Sequence, residues 1–542
     1  MKPSDGGAIL SYNSSEWVQM DLAMQLLRMR PTGLYPNSTA KDIHYILNHV
    51  EARVLGVQDR EYFQKLRTGT EPDYLPEHIE LVLAFNDDDS VHPKAVKISD
   101  ALAAGAKLAQ GRSIEQYLHA IDPKAPAFLI YTSGTTGNPK GAILSQDNLA
   151  FTSDAISKLW DLKYADGSLF SFLPLCHIAE KLQCIGVGIS NRYLVSFCTK
   201  FDNVATELTE VEPTLLLCVP RLWEKMMEGV MAKVEKGTGL KKILAAQSLA
   251  LGARMGEARM GARSANPVDS LLLPIAERLV LSKVKQALGL RRAAKLASGA
   301  APLPAQVSRW FRSLGLEILE CYGLTESTGV ISVTIPGKDC AGTVGLPVPE
   351  FEFQIAEDGE ILSKGRNIFL GYFKDDAATA QTLENGWLRT GDLAERTQTG
   401  YVRIRGRKKE IMKTSGGKMV APVPIEERIK THSMISQVCM VGDNRKFFSA
   451  LMTLSESTLA DLKARGAIPS ANGQVSDSAV MKAVKQHLDE VNKTLAQYEQ
   501  IKRFAILDRE FSIEEGEMTP TLKMKRSVIE SRFKALIDAF YQ

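Results

Sequence analysis

Short apolar segments alternate with helical ones along most of this chain, and that alternation constrains the fold more than any other feature. Ala8-Ile9-Leu10-Ser11-Tyr12 reads as a strand. A helix follows, capped by Ser14 or Ser15, with Trp17, Met20, Leu22 and Met24 among its apolar positions. Thr32 to Tyr35 and Ala52 to Val57 read as further strands, separated by a helix that Thr39-x-x-Asp42 opens like a capping box. The pattern continues through strand candidates at Ala127 to Tyr131, Leu169 to Leu173, Tyr193 to Phe197, Thr214 to Val219, Ala294 to Ser298 and Ile318 to Cys321. Strands separated by helices pair as parallel sheets, because a helical crossover returns the chain to the same edge.

The pattern then changes twice. Residues 221 to 295 read as mainly helical, with a mixed basic stretch near 241–264 that is either a solvated helix face or a membrane-surface element. Glycine and proline become dense from 342 to 371, with alternating runs such as Phe351-Glu352-Phe353-Gln354-Ile355, which predicts smaller sheets or a barrel-like element. After Arg405-Gly406-Arg407-Lys408-Lys409-Glu410, about 130 residues carry strand and helix patterns of their own. The expected fold is mixed α/β. A large N-terminal domain over 1–405 packs α/β subdomains with a smaller β-rich one. The boundary falls at 406–410, and 411–542 form a small α+β domain.

Composition removes several functions. The 542 residues carry 66 Lys+Arg against 63 Asp+Glu, a net charge of +3, so neither a polybasic nucleic-acid coat nor an acidic tail is present, and no nucleic-acid partner is expected. Seven cysteines, at 176, 184, 198, 218, 321, 340 and 439, lack zinc-ribbon spacing and are too few for a disulfide framework, which points to a reducing compartment. No run approaches the roughly 18 apolar residues of a spanning helix, and Met1 to Gly7 contains no signal-peptide core.

The densest chemical feature is Tyr131-Thr132-Ser133-Gly134-Thr135-Thr136-Gly137-Asn138-Pro139-Lys140-Gly141, directly after an apolar strand. Glycines let backbone amides approach an anion, and four hydroxyls and Lys140 add donors and charge, as a polyphosphate-holding loop requires. It is not a Walker A loop, because Gly-x4-Gly-Lys-[Ser/Thr] is absent.

This string resembles the phosphate-loop signature of the adenylate-forming enzymes, which include acyl-CoA synthetases, peptide-synthetase adenylation domains and luciferases. Five further segments follow in the order found in that superfamily: Phe172 to Glu180, Ser298 to Leu303, Tyr322 to Ser327, Thr390-Gly391-Asp392 with Gly406 to Glu410, and Pro520 to Lys523. Long-chain fatty acyl-CoA synthetases are the most similar branch, through Ala8 to Trp17, Val219 to Lys225, Thr414 to Lys418 and Glu517 to Arg526. Members of that branch carry several tens of residues before the Ala8 strand, so this chain is expected to be short at its N-terminus.

The resemblance implies two half-reactions. A carboxylate attacks the α-phosphorus of ATP, giving an acyl-adenylate and pyrophosphate; the CoA thiol then takes the acyl group and AMP leaves. It implies that Lys140, Thr132, Ser133, Gly134, Thr135, Thr136 and Gly137 hold the phosphates. Glu326, with Thr132, would serve Mg²⁺, and Thr325 would meet the α-phosphate. Gly299, Ala300, Tyr322 and Gly323 would shape the adenine site, with Asp392 and Arg407 on the ribose or phosphate. Lys523 would carry adenylation, with Lys525 and Arg526 as neighbouring cations. Residues 406–410 would be a hinge, with Lys409 as the hinge residue, and the domain 411–542 would be mobile. His177, Ser415, Gly416 and Gly417 would line the CoA channel, and Cys176, Cys184, Ala301 and Cys321 the acyl pocket. Two positions depart from the branch, Gln146 for histidine and Cys321 for glycine.

The expected activity is therefore ATP-dependent ligation of a long-chain fatty acid to CoA, with ATP, Mg²⁺ and CoA as co-substrates or cofactor. Transfer to a carrier-protein pantetheine, a medium-chain or aromatic acid substrate, and a silent nucleotide- or acyl-binding protein remain open. The expected location is the cytoplasm; peripheral contact with the inner membrane surface and a homodimer are also left open.

Overall fold

A computed structural model describes residues 1–67, 75–88, 90–111, 113–132, 138–261, 264–338, 340–466 and 473–542. Every strand expected between residues 8 and 321 forms, to within a few residues. The first sheet has eight strands, in the order Gly371–Tyr372, Lys140–Ser145, Pro126–Thr132, Arg30–Gly33, Gly6–Leu10, Ala52–Val57, Leu81–Ala84 and Ala95–Lys97. Its pairings from Pro126–Thr132 onward are parallel, and the two strands at the Gly371 end are antiparallel. The second sheet has seven strands, centred on the parallel set Leu194–Phe197, Ser168–Ser171, Leu215–Cys218, Lys295–Ser298 and Ile318–Tyr322.

Of the smaller sheets or barrel-like element expected from 342–371, a small sheet forms: it is antiparallel and built on the long strand Trp387–Arg396, with Glu360–Lys364 and Val402–Arg407 on either side. Beyond it, Ile435–Val441, Phe448–Leu454 and Ile501–Leu507 form a separate three-stranded sheet. Its apolar cluster, which includes Ile429, Val438, Met452 and Val484, draws on no residue before Met412.

Local sequence accounts for the helix starts. Ser14 accepts the Trp17 N–H, Thr39 accepts the Asp42 N–H, and Ser145 and Asn148 cap Gln146–Leu159 reciprocally. Between residues 8 and 321, three strands were not expected from the sequence: Lys140–Ser145, Leu81–Ala84 and Ala95–Lys97. Each is six residues or shorter, and periodicity in so short a run does not separate strand from helix.

The core between the first sheet and its helices encloses an ion pair. Lys181 Nζ lies 2.6 Å from Asp21 Oδ1, with the two side chains 4% and 1% exposed. Gln25 donates to Asp21 Oδ2 at 2.7 Å, and the ammonium sits over the Trp17 and Phe128 rings. The pair thus ties the helix Ser15–Leu26 to the helix Ile178–Lys181, which leads away from His177. Its neighbour Glu180 is fully buried, and neither carboxyl oxygen has a hydrogen-bond partner of good geometry. Burial pushes this carboxyl up to about 8, with the nearby Ser171 hydroxyl working the other way.

Removing one partner of a buried pair strands the other charge, so Lys181→Ala is expected to lose about 3–5 kcal/mol in urea unfolding. Replacing both, as Asp21→Leu with Lys181→Met, should recover most of it. Glu180 supplies a pH test. Its folded value lies above its ordinary 4.5, so the native state holds a proton that the unfolded chain has released. Stability should fall as pH rises from about 4.5 toward about 8, and Glu180→Gln should flatten that slope in thermal melts.

Candidate active site

The site forms where parallel strands of the second sheet end. Lys295–Ser298 and Ile318–Tyr322 run side by side, and their carboxyl ends lead into Gly299-Ala300-Ala301 and Gly323. Such ends are where open α/β sheets leave a crevice for ligands. Backbone packs too closely at Gly323 for any side chain, since a Cβ there would come 2.5 Å from the Gly329 oxygen. Ala300 holds a left-handed φ of +69°, and Ala300 and Ala301 are exposed while Gly299 is half-buried. Thr325 is buried in the turn Thr325–Ser327, where its carbonyl accepts the Thr328 N–H at 3.1 Å.

Asp392 joins three parts of the chain. The antiparallel ladder sets Asp392 directly opposite Arg407. Arg407 Nε lies 2.9 Å from Asp392 Oδ1, and Tyr322, from the second sheet, donates its hydroxyl to Oδ2 at 2.8 Å. Burial raises the Asp392 carboxyl above its ordinary value, while Arg407, Tyr322 and Lys523 oppose that shift. Each oxygen thus has one protein donor and keeps capacity for a further one, such as a sugar hydroxyl.

A second constellation surrounds Glu326. Tyr372 donates its hydroxyl to Glu326 Oε1 at 2.5 Å. Lys140 Nζ lies 5.2 Å from the centre of the Tyr372 ring and 3.4 Å from Asp375 Oδ2. Burial, then the charge of Glu326, holds the Tyr372 phenol above its ordinary range. Thr132 opposes Lys140 in the ladder and donates weakly to its carbonyl at 3.4 Å. Ser133, Gly134, Thr135, Thr136 and Gly137 lie outside the described residues. Tyr372 and Asp375 were not singled out from sequence. Nothing local marks them, and only the pairing of Gly371–Tyr372 with Lys140–Ser145 brings them to Lys140.

The C-terminal segment delivers Lys523 to the same place. Its ammonium is held below its ordinary value by burial and then by Arg407, while Asp392, Glu326 and Glu410 pull the other way. The residue is nonetheless exposed to solvent. A tight turn presents it: Thr519 N–H donates to the Lys523 carbonyl at 2.8 Å, Lys523 N–H donates to Thr519 Oγ1 at 3.0 Å, and Leu522 is left-handed at φ +59°. Of the neighbouring cations, half-buried Arg526 is paired with Glu426 at 2.8 Å; the backbone N–H of Lys525 donates to the Glu517 carbonyl.

His177 caps the helix Ile178–Lys181, its Nδ1 accepting the Ala179 N–H at 3.2 Å, so the ring proton belongs on Nε2. Burial, then the charge of Lys523, lowers its value to about 4, which leaves the imidazole neutral at physiological pH. Ser415, Gly416 and Gly417 stand apart from it on the exposed turn between Met412–Lys413 and Met419–Val420. Lys409 is exposed in the turn Lys408–Glu410, whose Lys408 is tied to Asp358 at 2.6 Å and Glu360 at 3.1 Å.

Cys176 and Cys184 are buried, and burial pushes both thiols well above their ordinary range, so neither is an activated nucleophile. Cys176 packs behind Gly33, where a Cβ would come within 2.5 Å of it. Cys321 is half-buried, with its thiol pushed up to about 12 by burial and then by Glu320.

One contact carries the lysine turn onto the first sheet. Asn37, in the loop after Arg30–Gly33, donates its side-chain amide to the Pro520 carbonyl at 2.9 Å. Lys65 Nζ holds the same loop through the Pro36 carbonyl at 2.8 Å. Asn37→Asp keeps the shape but removes the donor. It should slow formation of an adenylate on the order of three- to tenfold, the size of a neutral hydrogen bond. Thioester formation from a supplied adenylate should stay unchanged in single-turnover assays.

The chain matches the model of the AMP-binding enzyme family over residues 1–373 and that of the AMP-binding enzyme C-terminal domain over 409–542. It is 31% identical to a long-chain-fatty-acid–CoA ligase of Xenopus laevis, over 99% of this chain and 76% of that protein. It is also 31% identical to one of Mycobacterium bovis, over 100% of this chain and 88% of that protein. Among solved structures, the adenylation domain of a carboxylate reductase from Mycobacterium chelonae aligns with a TM-score of 0.68 at 20% identity, over 100% of this chain and 81% of that one. An o-succinylbenzoate CoA synthetase from Bacillus subtilis, in complex with its acyl-adenylate intermediate, aligns with a TM-score of 0.65 at 18% identity, over 98% and 89%. At such identities the structures speak for the fold alone, but the match of family models across both halves of the chain is decisive: the chain belongs to the AMP-binding enzyme family.

Proposed function

We propose that this chain is an ATP-dependent long-chain fatty acid–CoA ligase that works through an acyl-adenylate. The observation that carries this reading is the Tyr322–Asp392–Arg407 constellation, with Lys523 near enough to feel its charges. Two relatives, each 31% identical over nearly the whole chain, are named for that activity.

In the first half-reaction two anions must approach, a carboxylate and the α-phosphate, so the protein's main work is charge neutralisation and alignment. Lys523 supplies positive charge where they meet, and Arg407, held by Asp392, adds a second cation on the same side. Lys140 stands beside Tyr372 to receive the departing phosphates. Tyr322 and the thin backbone at Gly299 and Gly323 suit a flat base. Glu326 fits Mg²⁺, because it offers a hard carboxylate oxygen beyond the one that Tyr372 engages. Among the described residues no group of three or more His, Cys, Asp or Glu can hold a metal, so Glu326 would share the ion with the ATP phosphates. When bound, Mg²⁺ would supply charge compensation on those phosphates.

The thioester half-reaction needs a different face of the C-terminal domain. Residues 411–542 form their own core and would turn about 406–410, with Lys409 at the pivot. That rotation would withdraw Lys523 and bring the Ser415-Gly416-Gly417 turn inward, opposite neutral His177. No helix among the described residues is long and apolar enough to cross a membrane. Contact with lipid would therefore be peripheral.

The test measures AMP and acyl-CoA across acids from acetate to long-chain fatty acids, with ATP, Mg²⁺ and CoA. Turnover should rise with chain length, since each buried CH₂ contributes about 0.8 kcal/mol. Lys523→Ala should lower carboxylate-dependent ATP–pyrophosphate exchange about 100-fold or more, with a much smaller effect on thioester formation. Absence of exchange with any acid in the wild-type protein would reject the reading.

A further inference from the structure

Nine of the 23 exposed large hydrophobic side chains among the described residues lie between 231 and 279. They are concentrated on one helical pair, Gly239–Arg259 and Pro267–Ala276, and on the turn Glu277–Leu281 that extends the second helix. On the second helix, Val268, Leu271, Leu272 and Ile275 share one face, and Leu279 continues it one turn on. Leu240, Ile243 and Leu244 are exposed on the first two turns of the other helix. Leu271 is 75% exposed and Leu240 70%, values for side chains turned outward, not for partly covered ones.

The pair is held firmly from behind. Ser248, Leu249, Leu251, Gly252 and Gly256 form the buried face of the first helix. A Cβ at Gly252 would come 1.9 Å from the Ser313 oxygen, so this helix lies directly against Ala305–Ser313. Arg254 makes two hydrogen bonds of 2.8 Å to Asp269, locking the two helices together. The apolar face is thus rigid and unpartnered, an arrangement that marks an interaction surface.

Cations border this face. Lys241 and Lys242 precede Ile243, Arg278 adjoins Leu279, and Lys283 lies one turn further; all four are exposed. Lys241, Arg278 and Lys283 make no ion pair among the described residues. Of the acids on the same stretch, Asp269 and Glu277 are neutralised by Arg254 and Lys285, leaving Glu235 and Glu257.

We propose that this face docks the protein on an anionic lipid bilayer. A bilayer offers an apolar layer beneath a negative surface, which matches an apolar stripe edged by lysine and arginine. A second copy of the chain matches less well, because a symmetric contact would set the two cationic borders against each other. The inference adds to the proposed function by locating the face through which the enzyme would meet the membrane that dissolves its substrate. Docking itself does not depend on which acid is activated.

The experiment is flotation with vesicles of phosphatidylcholine alone and of an equimolar phosphatidylglycerol–phosphatidylcholine mixture. The full chain should float with the mixed vesicles, less so with the neutral ones, and less as salt rises. The double variant Leu271→Glu/Ile275→Glu should bind the mixed vesicles at least roughly tenfold more weakly, and Lys241→Glu/Lys242→Glu should lose the preference for anionic lipid. ATP–pyrophosphate exchange with a water-soluble acid should be unchanged in both, which shows that they fold. Failure of the wild-type chain to float, or equal flotation of the Leu271→Glu/Ile275→Glu variant, would overturn the proposal. So would light scattering that shows a wild-type dimer made monomeric by that variant. Flotation without exchange in the wild-type chain would instead keep the surface and reject the ligase reading.

Discussion

A carboxylate withdrawn from water must be paired, and the pairing of Asp392 organises this molecule. Its two oxygens are taken by groups from different parts of the fold. Tyr322 comes from the end of a parallel strand in the second sheet, and Arg407 from the antiparallel sheet just before the chain leaves for its C-terminal domain. Leaving either partner out would strand a buried charge. The end of the strand Ile318–Tyr322 and the small antiparallel sheet are therefore joined at one charged group.

That arrangement also sets the charge around Lys523. Arg407 alone would repel Lys523, and it does lower the lysine's proton affinity, but Asp392, Glu326 and Glu410 offset the repulsion. A cation can be brought in without a dedicated ion pair and so remains available for anions that arrive. Arg526, three residues further on, shows the opposite choice. It is committed to Glu426 inside the C-terminal domain and has no charge to spare for substrate.

Much of the fold was legible because its local signals agree with its tertiary contacts. The strands from Ala8 to Cys321, the caps at Ser14 and Thr39, and the change to smaller sheets after residue 342 all follow from patterns within a dozen residues. The motif residues were legible as chemistry, and the structure brings Lys140, Glu326, Tyr322, Asp392, Arg407 and Lys523 into one region. Tyr372, Asp375 and Asn37 were not. A tyrosine, an aspartate and an asparagine in loops and at strand edges carry no local mark, and their roles arise from contacts with residues between 46 and 483 positions away.

The sequence by itself determined which groups are available: a hydroxyl- and glycine-rich loop with its lysine, a carboxylate for a divalent ion, an Asp–Arg pair, and a distant lysine with two cationic neighbours. Tertiary structure decided which of those cations stands near Asp392, Arg407 and Glu326. Here Lys523 lies within reach of those charges, while Arg526 is tied to Glu426. It also decided that the apolar stripe from Val268 to Leu279 faces outward. An amphipathic period records only that a helix has two faces. Which face is covered depends on what packs behind it, and here the close approach of Gly252 to Ser313 turns the glycine-bearing face inward and leaves the leucines outside.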